Sequence, residues 1–174
     1  MGNKAYYANR QFFNSSPISR KSKLQIYRTL VRPVVTYGSE SWTLTMEEER
    51  TFAVFERKIL QKIYEPVKEN ELWRIRRNDE LETIIKGENT ARFIKCQRIR
   101  WLGHIGRMHD TANPKKMYGK LYATRRRGRP KMRWLDDVSM DMRKMVETNG
   151  ERERARNREA WRHVVEEAKA HPGL

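Results

Sequence analysis

A stripe of apolar side chains at helical spacing, Met46, Phe52, Phe55, Ile59 and Ile63, constrains the fold of this chain more than any other feature. Thr45 followed by Glu48 forms a capping box ahead of it and Pro66 stands just beyond Tyr64, so one long amphipathic helix is predicted between those limits. Similar patterns recur along the chain. Residues 3–13 carry Tyr6, Tyr7, Phe12 and Phe13 and end in the turn formers Asn14-Ser15-Ser16-Pro17. A second helix starts at the cap Ser19 and gathers Leu24, Tyr27, Leu30, Val31 and Val34 on one side, with Pro33 expected to kink or end it. A shorter helix is predicted from Asp79 to Lys86, with Glu82 near its start and Gly87 as the stop signal. The stripe Ile94, Trp101, Ile105 and Met108 predicts a long helix to about Arg107, and two more follow at about 134–147 and 157–170, parted by Asn149-Gly150. Pro114, Gly119, Gly128 and Pro130 interrupt the pattern over 110–131, which reads as a loop with room for a short hairpin. The expected fold class is mainly α, divided into a helical region 1–109, a basic loop 110–133 and a C-terminal helical pair 134–174.

Whether such helices can share a core depends on composition. The 174 residues are 37% hydrophobic and include five Trp, seven Tyr and five Phe, enough large apolar side chains to fold. The polarity must then lie on helix faces. There, 38 Lys and Arg against 22 Asp and Glu leave a formal charge of +16, a self-repulsion offset chiefly by a polyanion. Solubility alone needs far less charge, so nucleic acid is the expected partner. A single cysteine, Cys96, excludes an internal disulfide and fits a reducing, intracellular compartment, with the nucleus as the expected site of action. No apolar run approaches the roughly 18 residues of a membrane span, and no signal-peptide pattern opens the chain, so no membrane partner is expected.

The cations most suited to phosphate fall in three places. Arg20, Lys21 and Lys23 crowd the first turn of a predicted helix, where its dipole disfavours them, as if answering to something outside it. Arg98 and Arg100, with Arg92 and Lys95, decorate the long helix before Arg107. The densest run is Arg125-Arg126-Arg127-Gly128-Arg129-Pro130-Lys131-Met132-Arg133, uninterrupted by any acid. Its Arg127-Gly128-Arg129-Pro130 core is similar to an AT-hook, in which an extended Arg-Gly-Arg lies along a narrow A·T minor groove.

Catalytic chemistry finds less support. Trp134-Leu135-Asp136-Asp137 has the aromatic-x-Asp-Asp form of a polymerase metal turn, but its flanks read as helix and no third carboxylate is placed with it, so the acids are expected to serve a first helical turn. Cys96, His104 and His109 lack the closely spaced cysteine pair of a structural zinc site. No glycine-rich phosphate loop is present. No catalytic residue, metal or cofactor is expected in this chain by itself.

Taken together, several segments resemble the region that follows the catalytic palm in the endonuclease–reverse transcriptases of non-LTR retrotransposons. They are Ser19-Arg20-Lys21-Ser22-Lys23-Leu24, Tyr27-Arg28-Thr29-Leu30-Val31-Arg32-Pro33, Tyr37-Gly38-Ser39-Glu40-Ser41-Trp42 and Phe55-Glu56-Arg57-Lys58-Ile59-Leu60. Trp73-Arg74-Ile75-Arg76, Arg100-Trp101-Leu102-Gly103-His104, Gly128-Arg129-Pro130 and Trp161 continue the likeness nearly to the end of the chain. The resemblance implies a thumb-like helical bundle that grips template–primer duplex leaving an upstream palm, which would hold the Mg²⁺ and the catalytic carboxylates. The zinc knuckle of some related elements is not implied, since one cysteine cannot supply it. Two other readings of the sequence are an independent AT-hook-like DNA-binding protein domesticated from such an element, and a transposon remnant without function.

Overall fold

The computed structural model describes residues 2–85, 89–118, 133–145, 151–171 and 174, and the described chain is mainly α-helical with one small hairpin. It divides into two compact units, residues 1–37 with 46–91, and residues 38–45 with 92–174. This differs from the expected division near residue 109. The long helix ending at Arg107 shares a core with the C-terminal helices, so 134–174 is not a separate pair.

The first unit opens with α1 (Gly2–Ala8) and α2 (Arg10–Asn14), where one helix was predicted. The break falls at Asn9, whose side-chain amide donates to the carbonyl of Ala5 (2.9 Å). Tyr6 and Phe13 turn inward and stack at 5.2 Å, while Tyr7 and Phe12 remain exposed. The next helix, α3 (Arg20–Ile26), starts where Ser19 was predicted to cap it, with the Ser19 hydroxyl accepting from the Ser22 N–H at 3.1 Å. It continues through a π-helical turn, Tyr27–Val31, into α4 (Arg32–Val35). The run passes through Pro33 and ends two residues later, at Val35. The wider turn ahead of the proline, in which the Arg32 N–H reaches back to the Tyr27 carbonyl, accommodates a residue that has no N–H to give.

The best-marked helix of the sequence is α5 (Met46–Tyr64), running from the predicted cap to a left-handed Glu65 (φ 57) just before Pro66. Then comes an unpredicted antiparallel hairpin, β1 (Val67–Glu69) with β2 (Leu72–Arg74), in which Lys68 faces Trp73. Its two-residue turn places Asn70 (φ 49) and Glu71 (φ 68) in left-handed conformations, matching the right-handed twist of the strands. It is followed by α6 (Asn78–Ile85). The carboxylate that closes its first turn is Glu80, which accepts from the Arg77 N–H at 2.9 Å, rather than Glu82. Tyr6, Phe13, Tyr27, Val31, Ile59 and Ile63 form the main core of this unit, and Leu60, Leu81 and Ile85 a second cluster.

The second unit takes in a 3₁₀ turn, Ser39–Ser41, and α7 (Thr90–Arg107) from Arg92 onward. Next is α8 (Asn113–Tyr118), formed where a loop was expected, with Pro114 in its first turn, a position proline tolerates. The remaining helices are α9 (Trp134–Met145), α10 (Glu151–Arg156) and α11 (Arg158–Ala170). Their core gathers Ile99 and Ile105 of α7, Val138 and Met142 of α9, and Trp161 and Val165 of α11. Trp161 packs so close to α7 that a Cβ on Gly103 would come within 2.0–2.5 Å of its indole atoms, and its Nε1–H donates to the Ile99 carbonyl at 3.0 Å. Gly103 is therefore required by close approach.

Candidate nucleic-acid interface

The inner and outer faces of α7 treat their cations differently. Arg98 is 0% exposed, and its guanidinium donates to the Asp137 carboxylate of α9 at 2.5 Å and lies 3.5 Å from Asp141. Lys95, also buried, stands 3.8 Å from Asp141. Asp137 accepts in addition from the Leu44 N–H at 2.9 Å. Arg98 is thus corrected from a phosphate contact to half of a buried ion cluster, since Asp137 and Asp141, one helical turn apart, neutralise what the helix turns inward. Burial pushes the Asp141 carboxyl above its ordinary range, against the pull of Lys95 and Arg98.

Lys23 needs the same correction, being 4% exposed within the first unit. Arg20 and Lys21 are exposed, but Arg20 already stands 3.5 Å from Glu65 in a solvent-facing pair of little energetic weight. Arg133 is half-buried at the start of α9. Arg125, Arg126, Arg127, Arg129 and Lys131 lie outside the described residues.

Arg100 is exposed, and the structure joins it to cations that the sequence had not singled out. Gln97, Arg100, Trp101, His104 and Arg107, at i, i+3, i+4, i+7 and i+10, share one face of α7 and form one wall of a cleft of about 580 Å³. Arg158, Trp161, Arg162, Val165 and Glu166 form the opposite wall on α11, and Glu40 lies at the edge. Arg107 is held in place by donating to the Ala155 carbonyl (2.9 Å). Among the described residues, Arg100, Arg158 and Arg162 form no ion pair. Glu166, the acid of α11 that lines the cleft, is bonded by Lys169 at 2.8 Å, and that bond lowers its pKa, with Arg100 and Arg162 adding to the effect from further away. Trp101 and His104 present tilted rings, centroids 5.0 Å apart, and the Trp101 N–H has no acceptor among the described residues. The spacing that builds this cleft was present in the sequence at Arg158 and Arg162; what was missing was the knowledge that α11 faces α7.

The same geometry bears on metal chemistry. Among the described residues no group of three or more His, Cys, Asp or Glu could hold a metal ion. Asp137 is spent on Arg98 and Leu44, while Asp136 points to solvent, so the adjacent pair does not form a two-oxygen clamp. Cys96 is buried in the second core. No helix among the described residues is long and apolar enough to cross a membrane.

The class that this site defines is a basic, helical surface with an arginine-lined cleft. A protein of Caenorhabditis elegans described as uncharacterized and of proposed transposon origin is 25% identical to this chain over 133 residues, covering 71% of the chain and 45% of the relative. The chain thus matches less than half of that relative's length. No family model and no solved structure matches the chain.

Proposed function

We propose that this chain is a nucleic-acid-binding, thumb-like segment of a non-LTR retrotransposon reverse transcriptase, catalytically inert by itself. It would hold the template–primer duplex by its phosphates while an upstream palm carried out polymerisation. The observation that carries the reading is the set Arg100, Arg158 and Arg162 around one cleft, which form no ion pair among the described residues and outnumber the two carboxylates, Glu40 and Glu166, that line it with them. The transposon-derived relative and the sequence resemblance support the same origin. Contacts to phosphate carry no sequence information, which suits a surface that must accept whatever has just been copied.

A salt series of affinities for duplex DNA, duplex RNA and an RNA–DNA hybrid tests this. Binding should weaken steeply with salt and show little preference among duplexes, or a preference for the hybrid. Replacing Arg100, Arg158 and Arg162 by Ala should flatten the log–log slope on DNA by about 2.7, three contacts at about 0.9 each. An unchanged slope, or no binding at low salt, would sink the proposal. A strong preference for A·T-rich duplex would point instead to the hook reading of Arg127-Gly128-Arg129-Pro130.

A further inference from the structure

We infer that the cleft walled by α7 and α11 receives one unpaired nucleotide, its phosphate held by Arg158 and Arg162 and its base laid against Trp101 and His104. The inference rests on the nucleic-acid reading above and deepens it, from duplex backbone to a single-stranded end or a displaced base.

Shape is the first reason. A concavity of about 580 Å³ falls in the range, about 300–1,000 Å³, of sites that enclose small ligands. A duplex is a broad convex cylinder with phosphates at its rim, whereas one nucleotide that has left its stack is a ligand of the size such a volume suits.

The lining chemistry is the second. Trp101 and exposed His104 supply aromatic surface within a ring of arginines, the pairing by which proteins hold single strands without reading sequence. Arg158 is the first residue of α11, where the helix dipole disfavours a cation, and Arg162 lies one turn beyond it. Asn157 caps that helix end, its side chain accepting from the N–H groups of Glu159 and Ala160 at 2.9 and 3.2 Å, which fixes the first turn from which Arg158 projects.

Glu40, Gln97 and Glu166 place acceptors around the same space. A base amino group can donate to them, whereas the carboxylates of an acidic peptide, the other polyanion the arginines could attract, have no proton to give. The combination of stacking surface, cations and acceptors therefore favours a nucleotide.

Three probes test the inference on the full chain at low salt: a blunt hairpin duplex, the same hairpin with a short single-stranded overhang containing 2-aminopurine, and that overhang built from abasic sites. The base-bearing overhang should bind about tenfold more tightly than the abasic one, the scale of a single stacked base. Its 2-aminopurine emission should be quenched on binding, and His104→Ala, a change at an exposed position, should narrow both differences. Equal affinity for base-bearing and abasic overhangs would overturn the inference and leave the phosphate-contact reading standing. Failure of all three probes to bind would overturn both.

Discussion

In the first unit the buried carboxylate of Glu56 is met by neutral donors, and in the second the buried carboxylates of Asp137 and Asp141 are met by cations. Tyr27 donates to Glu56 at 2.9 Å, and Thr90 donates to it twice, from its backbone N–H at 2.7 Å and its hydroxyl at 2.8 Å. These bonds tie α5 to the start of α7 and to the π turn, and any one can be lost while the others hold. The second unit instead sets Arg98, fully enclosed, against Asp137 and Asp141. Removing either partner there strands a charge away from water. A buried carboxylate is therefore tolerant of change in one unit and brittle in the other.

The largest expected effect follows from that brittleness. Asp137→Ala leaves Arg98 with Asp141 alone and deprives the Leu44 N–H of its acceptor, and it should cost about 3–5 kcal/mol in urea unfolding. Four of the five tryptophans, Trp42, Trp101, Trp134 and Trp161, lie in the second unit, so indole fluorescence reports mainly on it. Replacing Arg98 and Asp137 together by Met and Leu should recover most of the loss, because the desolvation cost leaves with the charges. If the single change costs under about 1 kcal/mol, the cluster is not the brittle element it is taken to be here.

Tyr27→Phe is the matching change in the first unit and should cost less, about 1–2 kcal/mol, since Glu56 keeps both bonds from Thr90. Burial, with Glu56 adding to it, raises the Tyr27 hydroxyl above its ordinary value of about 10. The stability this gives is fully present below pH 10 and is lost as pH rises beyond it, so the Phe variant should lose part of the alkaline destabilisation along with its hydroxyl. A cost as large as that of Asp137→Ala would erase the contrast between the units.

How much of this was legible beforehand depended on how far apart in sequence the deciding residues stood. The bounds of α5 were readable because cap, stripe and stop lie within one segment, though Met46, counted with the stripe, is 73% exposed. The burial of Arg98 was not, because its partner is 39 residues away; the signal was Asp137 and Asp141 sharing the inward face of α9 with Trp134, Val138 and Met142. Gly103 and Trp161 both belonged to the pattern of the resemblance, but that one indole occupies the space of the other's missing side chain could be seen only once α7 and α11 met. The hairpin escaped because Glu71 is a poor advertisement for a left-handed turn residue. The cleft was half visible: its arginines had helical spacing, yet nothing local said that Arg100 would face Arg162 while Arg98 faced inward.

The smallest effect, and the one that sharpens the comparison within the first unit alone, concerns Glu80. Arg74 at the end of β2 donates to both its oxygens, at 2.6 and 3.1 Å, and to Glu69, while the Arg77 N–H adds a third bond to Glu80. The bonds from Arg74 first, and from Arg77 next, lower the Glu80 carboxyl from about 4.5 to about 2. A depressed carboxyl lends its stability above the unfolded pKa and loses it as pH falls toward the folded one, so the hairpin should stay fastened to α6 above about pH 4.5 and loosen between there and pH 2. Trp73, the single tryptophan of the first unit, sits on β2 beside Arg74 and is largely exposed. In protein labelled with 5-fluorotryptophan its ¹⁹F resonance should shift and sharpen across that acid window, while Glu80→Gln should abolish the pH response and show the loosened state already at neutral pH. A Trp73 resonance indifferent to acid down to pH 2 would mean that β1 and β2 are held by their own ladder, and that even the neutral-donor unit owes nothing at this edge to its ion pairs.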